Sequence, residues 1–241
     1  MRIEILTDEA AVAVRAADLL CDTVRAKPGA LLALPTGNTP VRAYVELARR
    51  VAAGAVDFAR ASIYAIDEFA GATRTAPGTN SVFYREHVRL GQRVLHCPNP
   101  SAQDPEEHIR AFADAVRRTG GIDLCMLGIG ANGHIAFNEP GSTHDSRARL
   151  VELTRASREA HAATFGSLDA VPARGMTLGV ADLLESRSIV VLATGAPKAA
   201  IVRRAIEDTP TADVPASWLQ SHADVLWVLD AAAAVELREQ P

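Results

Sequence analysis

His134 and Glu139 stand five residues apart in the stretch 128–142, which reads G-I-G-A-N-G-H-I-A-F-N-E-P-G-S. An imidazole titrates near neutral pH, and a neighbouring carboxylate can orient it or relay its proton. Gly128 follows an apolar run, residues 122–127, that reads as a buried strand, and the glycines of the loop let backbone amides approach a ligand closely. A titratable pair on a glycine-rich turn at the end of a strand is where an open α/β sheet usually binds its ligand. A second pair of carboxylates, Asp67 and Glu68, follows the mostly apolar run 62–66. One of the two suits a general base, because desolvation in a pocket raises a carboxyl pKa toward the working range. Helix capping or a surface turn is the other use for an Asp-Glu pair.

Two further strand ends carry groups suited to an anion. Thr36, Gly37, Asn38 and Thr39 lie in P-T-G-N-T-P, between an apolar strand and a helix, and offer hydroxyls, an amide and free backbone N–H groups. That is a recipe for holding phosphate at a helix N-terminus. T-G-A-P-K repeats the logic with the ammonium of Lys198. Of 25 basic residues only Lys27 and Lys198 are lysines, so the compact ammonium at Lys198 stands out. The segment 128–133 is formally G-x-G-x-x-G, but Asn138-Glu-Pro-Gly141 interrupts the long helix that a dinucleotide site needs. His134 and Glu139 match no zinc spacing, and Cys21, Cys97 and Cys125 lie far apart, so no metal is expected.

These residues need elements to hold them. Residues 2–6, 30–34, 62–66, 93–96, 122–127, 188–193 and 225–229 read as strands. Helices are expected up to about residue 25 after a Thr7 or Asp8 cap, from an Asn38 or Thr39 cap to about 53, over 80–89, from Pro105 to about 119, over 154–165, 180–185 and 199–207, and over 231–238. Residues 144–149 are polar and charged and read as a mobile segment. Strand and helix alternate, which predicts a single α/β domain over 1–241: a doubly wound, mainly parallel sheet with helices on both faces. In such a sheet the C-terminal strand ends share one edge, so the four motifs meet in one crevice.

Composition bounds the function. A net charge of −4 supplies no basic footprint for nucleic acid or an anionic membrane. No apolar run reaches membrane-spanning length and no signal-peptide pattern opens the chain, so a cytoplasmic protein with a small-molecule partner is expected.

L-P-T-G-N-T-P, I-D-E-F, G-I-G-A-N-G-H-I-A-F-N-E-P-G-S, V-P-A-R-G-M-T-L-G-V and T-G-A-P-K-A, in this order and spacing, resemble glucosamine-6-phosphate deaminase over nearly the whole chain. The resemblance implies a Rossmann-like fold without cofactor that converts glucosamine 6-phosphate and water to fructose 6-phosphate and ammonia. It implies that Asp67 is the base moving a proton between C2 and C1, through a cis-enolamine, and that His134 helps open the pyranose ring. It assigns Glu139 to that acid–base relay, and Thr36, Gly37, Asn38, Thr39, Gly128 and Lys198 to the substrate and its phosphate.

Two positions depart from the pattern. Asn132 stands where some members carry aspartate, and asparagine cannot stabilise an imidazolium by charge. Ala163 falls where an arginine usually grips the phosphate, with Arg158 or Arg174 nearby as substitutes. Losing a charge-assisted contact costs roughly 1.5–3 kcal/mol of binding, which leaves open weaker affinity, another amino sugar or a non-phosphorylated one. The basic residues of allosteric members are not evident, so strong activation by N-acetylglucosamine 6-phosphate is not expected. Two other functions share the fold: a 6-phosphogluconolactonase-like hydrolase and a non-catalytic sugar-phosphate sensor. F-N-E-P-G-S favours the deaminase over the first, and a strand beginning at residue 2 together with Asp67, His134 and Glu139 favours it over the second. Monomer and homo-oligomer are equally open.

Overall fold

The computed structural model describes residues 1–92 and 94–238. In chain order the elements are β1 (Arg2–Leu6), α1 (Glu9–Ala26), β2 (Leu31–Leu34), α2 (Asn38–Ala52), β3 (Ser62–Ala65) and β4 (Asp67–Ala70). Then come α3 (Asn80–His87), β5 (Val94–His96), α4 (Pro105–Arg118), β6 (Leu124–Gly128), β7 (Arg149–Glu152) and α5 (Arg155–Phe165). The last are β8 (Arg174–Thr177), α6 (Val180–Leu184), β9 (Ser188–Ala193), α7 (Ala199–Glu207) and β10 (Val225–Asp230), with 3-10 turns at Ala196–Lys198 and Pro215–Ser221.

Seven strands form one parallel sheet in the order β1-β10-β9-β6-β2-β3-β5. Successive side chains of a strand point to opposite faces, so each central strand feeds two cores. Leu32 and Leu34 of β2 and Leu124 and Met126 of β6 pack with Val12, Ala16 and Leu20 of α1 and Ala43 and Leu47 of α2. Ala33, Cys125, Leu127, Val191 and Trp227 face the other way, against Ile109 and Ala113 of α4 and Ile201 and Val202 of α7. Each such leucine or valine, buried from water, contributes about 1.5–3 kcal/mol. This is the doubly wound sandwich expected from the alternating pattern.

Three strands escape that pattern. β4, β8 and β7 form a second, antiparallel sheet, in which Asp67 lies opposite Thr177 and Ala70 opposite Arg174. R-L-V-E and R-G-M-T are too short and too polar to announce strands, and their long-range pairing decides their conformation. Asp67 and Glu68 therefore begin a strand rather than a loop.

Other local expectations are corrected. Gly37, at φ 102°, occupies the N-cap position of α2, so neither Asn38 nor Thr39 caps it. Arg93, expected to open the strand 93–96, lies outside the described residues. Residues 231–238 form turns instead of a helix: the Asp230 carboxylate takes the Ala233 N–H at 2.7 Å, and Ala233, Ala234 and Leu237 pack into the sheet. The segment 144–149 is fastened by its arginines. Arg147 pairs with Asp182 and Glu185, and Arg149 donates to Asn138 Oδ1 at 3.0 Å and Ser142 Oγ at 2.7 Å.

Candidate active site

β9, β6, β2 and β3 are four neighbouring strands, and their C-terminal ends carry T-G-A-P-K, the glycine loop, P-T-G-N-T-P and Asp67 in that order across the sheet. The topology thus brings the sequence motifs to one edge.

Asp67 and Glu68 divide along the strand alternation. Glu68 is wholly buried, and its carboxylate accepts the N–H groups of Phe69 (2.8 Å), Asn80 (2.9 Å) and Ser81 (2.7 Å) and the Ser81 hydroxyl (2.6 Å). It satisfies the first N–H groups of α3, which Thr79 caps from the other side, so the capping alternative describes Glu68. Asp67 has one oxygen, Oδ1, held by Asn80 Nδ2 at 2.5 Å, and its other oxygen takes no hydrogen bond from a described residue. Burial, and then the negative Glu68 beside it, push its carboxyl from 3.8 up to about 8, against the lowering effect of Asn80. A carboxylate with one free oxygen and a pKa near neutrality is equipped as a general base.

The glycine loop seats the imidazole. A Cβ on Gly130 would lie 2.4 Å from the His134 ring, so only glycine leaves room for it. The loop closes on itself through Gly130 N–H to His134 O at 2.9 Å and is tied to the chain near α7 through Ala216 N–H to Gly133 O at 2.9 Å. His134 Nδ1 is buried without a hydrogen bond and faces Glu139 Oε2 at 3.6 Å, while about a quarter of the side chain stays exposed. Asn132 Nδ2 donates to that same Oε2 at 2.8 Å, and Thr154 donates its hydroxyl to Oε1 at 3.3 Å. Burial raises the Glu139 carboxyl, but the neighbouring His134 imidazole and the hydrogen bond from Asn132 outweigh it and hold it at about 2. Glu139 is therefore an anion that can steady a protonated His134. Asn132 positions Glu139 by a hydrogen bond, as an amide can, without adding charge.

On one side of the loop, Lys198 Nζ donates to Ile129 O at 2.8 Å, and burial lowers the pKa of its ammonium. On the other, the side chains of Thr36, Asn38 and Thr39 make no hydrogen bond with a described residue, and Gly37 leaves the first N–H groups of α2 without a side-chain cap. Gly128 ends β6, and a Cβ there would meet nothing within 4 Å, so open space lies over it. Among the described residues no cluster of three or more His, Cys, Asp or Glu could hold a metal ion.

The substitutes for the missing arginine are elsewhere. Ala163 is exposed on α5. Arg158 donates from Nη2 to Leu168 O (3.0 Å) and Val171 O (3.2 Å), and Arg174 sits opposite Ala70, at the far end of β4 from Asp67. Sequence reasoning missed Asn80 and Thr154, and also His161, a half-buried imidazole whose ring meets Phe69 edge-on at 5.1 Å. Thr154 was legible as a helix cap, but its second bond, to Glu139, was not. Asn80 and His161 are brought to the site only by tertiary packing.

The family described as Glucosamine-6-phosphate isomerases/6-phosphogluconolactonase matches residues 7–227. The chain is 39% identical over 238 residues to a glucosamine-6-phosphate deaminase of Rhodopirellula baltica, covering 97% of this chain and 95% of that one. It is 37% identical to glucosamine-6-phosphate deaminase 2 of Bacillus subtilis, covering 92% of each. A solved monomeric glucosamine-6-phosphate deaminase superposes with a TM-score of 0.94 at 33% identity, over 98% of this chain and 100% of that one. A 6-phosphogluconolactonase of Shewanella baltica shares the fold, with a TM-score of 0.75 at 19% identity over 96% and 98% of the two chains.

Proposed function

Because the chain belongs to the family of glucosamine-6-phosphate isomerases and 6-phosphogluconolactonases, we propose that it is an amino-sugar phosphate deaminase that converts glucosamine 6-phosphate and water to fructose 6-phosphate and ammonia. The observation that carries this is the pairing of Asp67 with the His134–Glu139 couple at one sheet edge. An aldose–ketose shift needs one base beside two adjacent carbons, and opening a pyranose needs a separate proton shuttle. His134, steadied by Glu139 and through it by Asn132, moves the proton between the anomeric hydroxyl and the ring oxygen. In the open chain Asp67 takes the C2 proton, which gives the cis-enolamine, and returns it to C1. Water then adds to the resulting C2 iminium and ammonia leaves. The N–H groups and hydroxyls at Thr36, Gly37, Asn38 and Thr39 hold the phosphate together with the Lys198 ammonium, and the open space over Gly128 admits the sugar. Anchoring the phosphate end places C1 and C2 over Asp67, which is the proximity contribution.

Relatives named glucosamine-6-phosphate deaminase at 37–39% identity support this substrate, and the lactonase likeness at 19% supports the fold alone. Among the described residues no helix is long and apolar enough to cross a membrane, and the three cysteines are unpaired, which suits the reducing cytoplasm in which we place the enzyme. The test is ammonia and ketose release from purified protein given glucosamine 6-phosphate, galactosamine 6-phosphate and free glucosamine in parallel, with a 6-phosphogluconolactone arm. Turnover of glucosamine 6-phosphate above the other substrates is expected. Lactone hydrolysis without ammonia from any sugar would reject the proposal.

A further inference from the structure

Arg158 and Arg174, which the sequence offered for an anion, share a surface, but in a different place. Both line a cleft of about 530 Å³ beside the Ala70 end of β4, together with Phe165 of α5 and Asp169 and Val171 of the segment that follows it. The rest of the wall is alanine, glycine and proline, so the guanidinium groups are the long polar side chains there.

Neither guanidinium is paired with a carboxylate of a described residue, as several other arginines of the chain are. Arg15, Arg50, Arg117, Arg147 and Arg187 each pair with a carboxylate within 3.1 Å. Arg158 pairs with no carboxylate among the described residues: Nη2 is spent on two carbonyls, and Nε is buried with no partner. The side chain of Arg174 is exposed and makes no hydrogen bond or ion pair with any described residue. Asp169, the one carboxylate of the wall, forms an ion pair with neither. The free fork of Arg174 and the remaining Nη1 of Arg158, on one concave surface and without a carboxylate partner, match a tetrahedral dianion that takes several N–H groups at once.

We infer that this cleft is a second anion site, built for a small phosphate-bearing ligand and separate from the crevice that holds Asp67. None of Asp67, His134, Glu139, Lys198 or residues 36–39 lines the cleft, and Ala70 lies three residues along β4 from Asp67, about 10 Å at the rise of a strand, so the two places have separate walls. The two are nevertheless joined. Val171 and Phe165 of the cleft pack in the same cluster as Phe69 and Phe137, and α5 reaches from Phe165 back to its Thr154 cap on Glu139. An anion that ties α5 to β8 therefore stiffens the helix that flanks the candidate active site.

The test is calorimetric titration of the full chain with inorganic phosphate, in a Lys198→Ala background that weakens the first anion position. Phosphate is expected to bind this variant. Adding Arg174→Glu, which reverses an exposed charge with no partner to lose, is expected to weaken binding at least tenfold, with Arg174→Lys falling between. Hydrogen exchange of the α5 amides should slow with phosphate in the Lys198→Ala protein and stay unchanged in Lys198→Ala/Arg174→Glu. Phosphate affinity and α5 exchange that are indifferent to Arg174→Glu would overturn the inference. Neither readout depends on which sugar the enzyme turns over.

Discussion

Replacing Asp67 by asparagine separates the chemistry of that carboxylate from its place in the fold. Asparagine keeps the shape and an oxygen for Asn80 Nδ2 but cannot take a proton. In the wild type the carboxyl lies at about 8, raised from 3.8 by burial and by Glu68. A base with that pKa is about one-tenth ionised at pH 7 and about nine-tenths at pH 9, so kcat/KM should rise about tenfold over that interval. Asp67→Asn should lower kcat by roughly 10²–10⁴, the usual worth of a positioned base, and flatten the profile. Stability must move in the opposite sense. A folded-state pKa above the unfolded one contributes stability that is complete below pH 3.8 and is lost as pH rises through about 8. The interval corresponds to on the order of 5 kcal/mol, shared with Glu68. At pH 9 the asparagine variant should therefore unfold at higher denaturant than the wild type, and at pH 4 at nearly the same concentration. Initial rates and urea melts across pH 5–9 test both halves. A variant that keeps a tenth or more of wild-type turnover, or a wild type whose kcat/KM is level from pH 7 to 9, would refute the assignment.

The neighbouring carboxylate should respond differently. Glu68→Gln leaves one of the buried N–H groups at the start of α3 facing a donor, so it should cost about 1–3 kcal/mol in urea melts and reduce activity only through the unfolded fraction. Gly130→Ala drives a methyl into the His134 ring and should cut turnover with little change in the far-ultraviolet circular dichroism; unchanged kinetics would show that the ring position is unimportant. Lys198→Ala should raise KM for a phosphorylated sugar about tenfold or more and leave kcat less affected, and an unaltered KM would remove Lys198 from the phosphate grip.

What was legible in the sequence was whatever local chemistry decides. The strands of the parallel sheet are buried on both faces and announce themselves as apolar runs, and the loops after them stand out because glycine, proline and polar residues break those runs abruptly. Asp67, His134 and Glu139 could be picked out because a strand end fixes where its next residue goes. The division of labour between Asp67 and Glu68 could not, because it depends on α3 arriving with its N–H groups on one side of β4. The antiparallel sheet was invisible for a similar reason: R-L-V-E and R-G-M-T become strands only by pairing with D-E-F-A and with each other. Spacing alone put Arg158 and Arg174 near Ala163, where an arginine usually grips the phosphate, whereas the direction of β8 carries Arg174 to the opposite end of β4 from Asp67.

The first strand of the chain lies beside its last. Among the described residues β1 has β10 as its only neighbour, and β10 fills the place between β1 and β9. During synthesis, Arg2–Leu6 waits for Val225–Asp230 to leave the ribosome, while β9 shows a bare edge of Ile189, Val190 and Val191. Such an edge is a template for pairing with other chains. Closing a contact that spans nearly the whole polypeptide is also slow, because the loop entropy is spent before the contact forms. The nascent chain is thus exposed to aggregation until β10 appears, and truncations before Val225 should aggregate rather than yield a smaller working enzyme.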